Sequence, residues 1–200
     1  MSYDLVIKNA RVVRPSVKEV FEGDIAIKDG KISKVLRNIA VEDSRVYDAR
    51  NLLAFPGVVD AHMHAGIYAP LKEDAVSESR AAAQGGVTSM LNYFRTGQYY
   101  LNKGGPYKKF FPEVLKISKD KFHVDYAYHL APMDSTHIAE IPELISKYGV
   151  SSFKIFMFYG SHGLHGRSDK QRDFLMIGKN ERYDYAHFEF IMRGVQAARE

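Results

Sequence analysis

The sequence predicts an α/β protein in two parts: a small β module over residues 1–54 and four strand–helix units over residues 55–200. Two observations lead to this fold class. Before residue 55, short alternating apolar stretches are separated by turn signals. After it, apolar runs of strand length alternate with longer amphipathic or alanine-rich segments, which is typical of a parallel α/β architecture.

The first 54 residues predict short antiparallel strands, which we place at 4–8, 11–14, 19–28 and 32–36. In the third of these, Val20, Ile25 and Ile27 stand among charged neighbours, as in a half-buried strand. The dipeptide Asp29-Gly30 is typical of a tight hairpin turn. We interpret this module as a scaffold and assign no functional role to its residues.

The remaining residues predict four strands, each followed by a helix. The strands are expected at 57–63, 87–93, 122–130 and 150–158, and the helices at 73–84, 111–119, 136–148 and 183–200. Gly85-Gly86 ends the first helix, and Ser135-Thr136 and Gly149 bound the third. Residues 160–182 are polar and irregular.

The number of strand–helix units indicates how much of a barrel these residues could form. Residues 55–200 comprise 146 residues, whereas a closed barrel of eight units needs about 250. The pattern therefore fits either an open four-stranded α/β protein or about half of a barrel. Because a half-barrel leaves a parallel edge strand unpaired, which favours aggregation, we expect the chain to be a fragment of a larger one.

Composition excludes several classes of function. Of the 200 residues, 46% are hydrophobic, and the net charge is +4. The basic residues are scattered, so nucleic acid is not an expected partner. The absence of cysteine excludes disulfides and thiolate zinc sites, leaving nitrogen and oxygen as metal ligands. The first residues do not show the pattern of a signal peptide or membrane span, so we expect a cytoplasmic protein without a membrane partner.

The most informative stretch is FPGVVDAHMH at 55–64, an apolar run that follows a Pro-Gly break and ends in two histidines. It predicts a buried strand of a parallel sheet. Because side chains alternate along a strand, His62 and His64 point to the same face. Two such imidazoles form half of a metal site. Two histidines packed or hydrogen-bonded at the mouth of a barrel are the alternative.

The second informative stretch is SFKIFMFY at 152–159, which places Lys154 inside an apolar strand. Burial lowers the pKa of a lysine and populates its nucleophilic neutral amine. Such an amine takes up carbon dioxide as a carbamate, an anionic group whose two oxygens can bridge two divalent metals. A lysine that pairs with a nearby carboxylate is the alternative.

Together these stretches resemble the amidohydrolase superfamily, and most of all its dihydropyrimidinase/hydantoinase group of cyclic amidohydrolases. The resemblance begins in the N-terminal β module and continues through the motifs at 55–64, 81–88, 124–129, 141–144 and 152–157. It implies a metal-dependent (β/α)₈ TIM barrel, of which residues 55–200 are the first half, preceded by a small β-sandwich module. The active site of such a barrel lies at the C-terminal ends of its strands.

The resemblance also implies roles for individual residues. His62 and His64 bind the more buried of two divalent metals, and Lys154, as carboxylysine, bridges both. A hydroxide between the metals attacks the ring amide carbon, and Tyr159 helps to hold the oxyanion. The family's other metal ligands, two histidines and an aspartate, come from strands beyond these 200 residues. Zinc fits these ligands, as do manganese and iron; the family is commonly a homotetramer.

Four other histidines are weaker candidates. His129 ends the third predicted strand on the active-site face, where we interpret it as a structural or supporting residue. His162 and His165 follow Tyr159 and either line the pocket mouth or are solvated loop residues. His187 lies in a predicted helix, which makes it a poor substitute for a missing metal ligand.

The substrate class is partly indicated. Dihydroorotases carry an arginine two residues after the second histidine, where this chain has Gly66. Arg95 binds an acidic substituent or forms a surface salt bridge. We expect a hydrolase of C–N bonds in a cyclic ureide or imide, such as a hydantoin or dihydropyrimidine. The alternatives are an allantoinase or dihydroorotase-like enzyme, a non-catalytic oligomeric relative, which would typically lack the metal ligands, and an inactive fragment.

Overall fold

The computed structural model describes residues 2–66, 69–95, 103–155 and 185–199. The chain divides into two compact units, Met1–Gly57 and Val58–Glu200. Tyr159, His162, His165 and the end of the fourth expected strand lie outside the described residues, so they stay predictions. Within the described ranges, no helix combines the length and the apolar character needed to cross a bilayer.

The first unit is one five-stranded sheet. Its strands are β1 (Leu5–Arg14), β2 (Glu19–Lys28), β3 (Lys31–Leu36), β4 (Arg45–Asp48) and β5 (Leu53–Ala54). The order is β3-β2-β1-β4, and β5 also pairs with β1. β2 is antiparallel to β1 and β3, but β4 and β5 run parallel to β1. The expectation of a purely antiparallel module is therefore wrong, because residues 37–44 carry the chain back before β4 begins.

Two local features of this sheet bear on the sequence predictions. The two strands expected at 4–8 and 11–14 are one strand, β1, whose register shifts between Ile7 and Ala10. Asn9, between them, has φ of 54°. The expected hairpin turn is confirmed, with φ of 52° at Asp29 and 70° at Gly30. Positive φ at both residues matches the twist of the flanking strands.

Asp24 is the buried charge of this unit. Its carboxylate pairs with Lys8 Nζ at 2.5 Å and accepts hydrogen bonds from the amides of Asn9 at 3.0 Å and Ile39 at 2.8 Å. Burial by itself would raise the pKa of Asp24, but these hydrogen bonds and the Lys8 charge outweigh it and lower the pKa. Asp24 thus joins β1, β2 and the segment after β3.

The second unit alternates strands and helices, as the sequence predicts. A parallel sheet, in the order β6-β7-β8, is formed by β6 (Val58–His64), β7 (Val87–Phe94) and β8 (Asp125–Leu130). The helices are α1 (Leu71–Gln84), α2 (Tyr107–Ser118), α3 (Ser135–Ala139), α4 (Ile141–Tyr148) and α5 (Tyr185–Ala197). Phe153 makes a parallel bridge to Leu130, so the chain continues the sheet beyond β8.

The expectation that the first strand of this sheet is buried is wrong. Val58 is 53% exposed and Val59 is 65% exposed. The strand β6 pairs on one side with β7 and forms an edge of the three-stranded sheet. An apolar run therefore predicted the strand correctly, but its burial depends on neighbours that the described residues do not supply.

Two helices differ from the sequence predictions. The helix expected at 136–148 is two helices, α3 and α4, which meet at Glu140 just before Pro142. The carboxylate of buried Glu140 accepts hydrogen bonds from the amides of Tyr107 at 2.7 Å and Lys108 at 3.2 Å. It thereby caps α2, which begins four residues earlier than expected.

The core of the second unit fixes the ends of the strands. Phe94 from β7, Phe111 from α2, Leu130 from β8 and Leu144 from α4 belong to one buried cluster. The hydroxyl of Tyr107 donates a hydrogen bond to the carbonyl of Ala131 at 2.5 Å, just beyond β8. Helices and strand ends are therefore held together where the predicted site residues lie.

Candidate metal centre

Three side chains lie in one row across the C-terminal ends of the parallel strands. His64 on β6 pairs in register with Tyr93 on β7, and Tyr93 pairs with His129 on β8. His62, two residues before His64, points to the same face of its strand. The carboxyl ends of parallel strands are where ligands bind in sheets of this kind.

The rings of His62, His64 and His129, which we call the histidine row, are in contact. His62 Nε2 lies 3.0 Å from His64 Nε2, and His62 Nδ1 lies 2.7 Å from His129 Nε2. The ring of Tyr93 packs against all three, with centroid distances of 4.9 Å to His64, 5.7 Å to His62 and 6.1 Å to His129. Tyr93 is only 2% exposed, so a buried ring lies between His64 and His129 in the register of the sheet.

The backbone after His64 is fixed by two buried side chains. The amide of Ala65 donates to Asn92 Oδ1 at 2.8 Å, and the amide of Gly66 donates to Asp74 Oδ2 at 2.8 Å. Gly66 has φ of +83°, and a Cβ there would lie 3.0 Å from Leu71 Cβ. The turn therefore requires glycine, and it holds the end of β6 against β7 and α1.

Lys154 is placed at the same edge by its backbone. Its amide donates to the carbonyl of Leu130 at 2.8 Å, next to His129. Its side chain is half-buried, and its positive charge contributes to lowering the pKa of His62, His64 and His129. The structure thus brings together all three residues that the sequence predicts as metal ligands, with His129 beside them.

The electrostatics keep these histidines neutral. Burial, followed by the charges of neighbouring histidines and Lys154, lowers the pKa of His64 and of His129 to about 4 each. Burial and then Lys154 lower the pKa of His62, while Asp60 acts in the opposite direction. At neutral pH the rings therefore carry unprotonated nitrogens, which is the form that binds metals.

The histidine pair fits two ligands of one metal ion. Two nitrogens at ordinary metal distances in a tetrahedral site lie about 3.3 Å apart, close to the 3.0 Å between His62 Nε2 and His64 Nε2. In the described part of the chain, no group of three His, Asp or Glu side chains is arranged to hold an ion. His62 faces His64 and His129 through different nitrogens, so the three rings do not converge on one point.

The other candidates have different surroundings. His187 Nε2 donates to the carbonyl of Pro132 at 3.0 Å, which connects α5 to the loop after β8. Arg95 follows β7, and its charge contributes to lowering the pKa of His64. Tyr93, Asn92 and Asp74 were not among the residues predicted for the site. Asn92 carried a usable signal, because a polar side chain inside an apolar strand needs a specific partner.

Two curated proteins are similar to this chain. A D-hydantoinase from Geobacillus stearothermophilus is 34% identical over 159 residues, which are 77% of this chain and 32% of the hydantoinase. A dihydroorotase from Aquifex aeolicus is 39% identical over 90 residues, 44% of this chain and 21% of the dihydroorotase. The chain therefore spans about a third of the length of the hydantoinase that it matches.

A solved structure is similar in fold. L-Hydantoinase (dihydropyrimidinase) from Arthrobacter aurescens has a TM-score of 0.71 and 24% sequence identity. The match covers 98% of this chain and 39% of the solved chain. No family model matches the sequence. The comparisons confirm the resemblance predicted from the motifs.

Proposed function

We propose that this chain supplies the first half of the active site of a hydantoinase-like cyclic amidohydrolase. The proposal is supported by the chain's similarity to the N-terminal part of hydantoinases. The site hydrolyses a C–N bond in a cyclic ureide or imide. The observation that carries this proposal is the pair of imidazole nitrogens, 3.0 Å apart, on His62 and His64 beside Lys154. A non-catalytic relative has no need of such a pair.

The architecture in this proposal is a barrel preceded by a sandwich module. Residues 55–200 form the first half of a (β/α)₈ barrel, and residues 1–54 belong to the β-sandwich. The order β6-β7-β8, with Phe153 beside β8, supports this because strands adjacent in sequence are neighbours in such a barrel. We further propose a homotetramer, as the resemblance implies, and the cytoplasm as its location.

In this proposal His62 Nε2, His64 Nε2 and Lys154, as its carbamate, would hold two divalent metal ions. The chemistry of the donors favours zinc, and manganese and iron also fit nitrogen and oxygen ligands. When bound, the metal supplies Lewis acidity for the ring carbonyl and activates water. The chain's own residues hold the two histidine nitrogens in place through Asn92 and Asp74, which fix the backbone after His64.

Formation of the carbamate changes the charge of the site. The ammonium group of Lys154 loses one proton to the solvent, and the neutral Nζ then forms a bond to the carbon of carbon dioxide while the electron pair of one C=O π bond moves to oxygen. A second proton leaves Nζ to the solvent, so the charge of the side chain changes from +1 to −1. Beside His62, His64 and His129, this replaces a charge that repels cations with one that attracts them.

The substrate follows from the surroundings of the histidines. Gly66 stands where the resemblance associates an arginine with dihydroorotases, and its φ of +83° would strain any other residue there, which favours a ring without a carboxylate. Arg95, whose positive charge contributes to lowering the pKa of His64, contacts an acidic substituent of the ring in this proposal. Tyr159 holds the oxyanion in this proposal, as the resemblance implies.

The test is ring opening of hydantoin and 5,6-dihydrouracil by the complete protein that contains this chain, after its metal is removed with a chelator and zinc and bicarbonate are restored. We expect turnover only after restoration, and a loss on the order of 1000-fold or more in His64→Ala. His123→Ala, a histidine before β8, serves as the control and keeps full activity. Full turnover by His64→Ala would contradict the proposal.

A further inference from the structure

We infer that His129 is a positioning residue of this centre: its Nε2 accepts a hydrogen bond from Nδ1–H of His62 and thereby leaves His62 Nε2 for the metal. The inference rests on the proposed function and adds a residue to it. Its basis is the 2.7 Å contact between His62 Nδ1 and His129 Nε2. A hydrogen bond of that length joins one N–H to one bare nitrogen.

The two possible directions of this bond have different consequences. If His129 donated, the neutral His62 ring would carry its hydrogen on Nε2, the nitrogen that faces His64. Such a nitrogen has no lone pair for a metal. If His62 donates, its hydrogen lies on Nδ1, and Nε2 is bare beside His64 Nε2. Only the second direction leaves His62 Nε2 bare, so that a metal can replace the hydrogen that the 3.0 Å contact with His64 Nε2 shares in the absence of metal.

The surroundings of His129 suit a fixed acceptor. It is 8% exposed, and its place is set by β8, where it pairs in register with Tyr93. The His129 and His62 ring centroids lie 4.8 Å apart, and the rings of Tyr93 and His129 meet edge to face. A metal-binding histidine usually has a partner on its second nitrogen, and here that partner is a neutral ring that adds no charge to the site.

Two substitutions separate this role from simple packing. His129→Phe keeps a ring of similar size but removes the acceptor nitrogen. His129→Gln places an amide oxygen close to the position of Nε2 and so restores an acceptor. Cobalt(II), titrated into the protein with bicarbonate present, reports affinity through its visible absorption. We expect about 10- to 100-fold weaker binding in His129→Phe and most of the affinity back in His129→Gln.

The tautomer itself provides a second readout that packing would not move. Nitrogen-15 NMR of the metal-free protein should show His62 with its hydrogen on Nδ1, and His129→Phe should show a mixture of tautomers. Thermal unfolding of both variants checks that they are folded. Unchanged cobalt affinity and an unchanged His62 tautomer in folded His129→Phe would overturn the inference.

His64→Ala separates this inference from the proposed function. If His64→Ala binds cobalt as tightly as the unaltered protein, the proposed metal centre itself is wrong. If His64→Ala loses cobalt while folded His129→Phe keeps it, the centre stands and the role of His129 is wrong. Loss in both, with recovery in His129→Gln, supports both proposals.

Discussion

Asp24 in the first unit and the histidines at the end of β6 and β8 both have lowered pKa values, but with opposite meanings. For Asp24, a lowered pKa means that the charged carboxylate is stabilised, by Lys8 and two backbone amides. For His64 and His129, it means that the charged form is destabilised. The charge of the Asp24 carboxylate is therefore balanced by its partners. The histidine nitrogens instead stay neutral beside the positive charge of Lys154.

This difference indicates that the histidines, and not the Asp24 cluster, are the candidate for binding a metal ion. The partners of Asp24 lie within its own unit, on β1 and in the segment after β3, so the cluster stabilises the fold without a ligand. The histidine row carries three imidazoles and the charge of Lys154 at one edge. A cluster of this kind gains stability when a cation binds its nitrogens and the lysine becomes an anion.

The largest effect that follows from this comparison is on Lys154. Lys154→Arg keeps the positive charge, but a guanidinium does not form a carbamate. We expect zinc affinity to fall on the order of 1000-fold and to lose its dependence on bicarbonate. Isothermal titration with and without bicarbonate measures this. Lys147→Arg, at an exposed side chain of α4, is the control. Tight zinc binding by Lys154→Arg would contradict a role for the carbamate.

A smaller effect is expected at the other end of the comparison, at Asp24. Asp24→Asn removes the charge that pairs with Lys8, whose Nζ keeps its hydrogen bonds to Asn38 Oδ1 and the carbonyl of Ile39. We expect the unfolding free energy to fall by about 2–3 kcal/mol, less than for a fully buried pair because Lys8 is partly exposed. Urea unfolding measures it, with exposed Asp43→Asn as the control. Zinc affinity should stay unchanged, and a parallel loss of zinc would show that the two regions are not independent.

The smallest effect concerns pH. The folded His129 titrates at about pH 4, whereas an unfolded histidine titrates near 6.5. Between these values the unfolded chain binds more protons, so stability falls as pH decreases. For His129 the loss from pH 7.5 to 5.5 is at most about 1 kcal/mol after solvent screening. Urea unfolding of metal-free His129→Gln should show a smaller loss than the unaltered protein; equal losses would contradict the shifted pKa.

Much of the fold was predictable because local signals agree with it. The Pro-Gly break, the histidine pair and Gly85-Gly86 mark β6 and α1, and the structure follows them closely. Prolines caused the largest errors in helix bounds. Pro112 lies inside α2, and Pro142 begins α4 after a break that the apolar spacing does not reveal. The capping contact from Glu140 to α2 spans 33 residues and has no local signal.

The candidate site was predictable residue by residue, but its supports were not. His62, His64 and Lys154 stand out as polar residues in apolar strands, which is a local property of the sequence. In the sequence Tyr93 resembles any other core aromatic. Only the register of β6, β7 and β8 shows that it pairs with His64 on one side and with His129 on the other. The contact between His62 and His129 joins residues 67 apart and depends on the same register.

The most direct test of the metal centre is the metal content of the protein, measured by plasma mass spectrometry after reconstitution with zinc and bicarbonate and removal of free metal. We expect the unaltered protein and His123→Ala to retain zinc and His64→Ala to lose it. Equal zinc content in the unaltered protein and His64→Ala would contradict the assignment of the histidine pair as metal ligands.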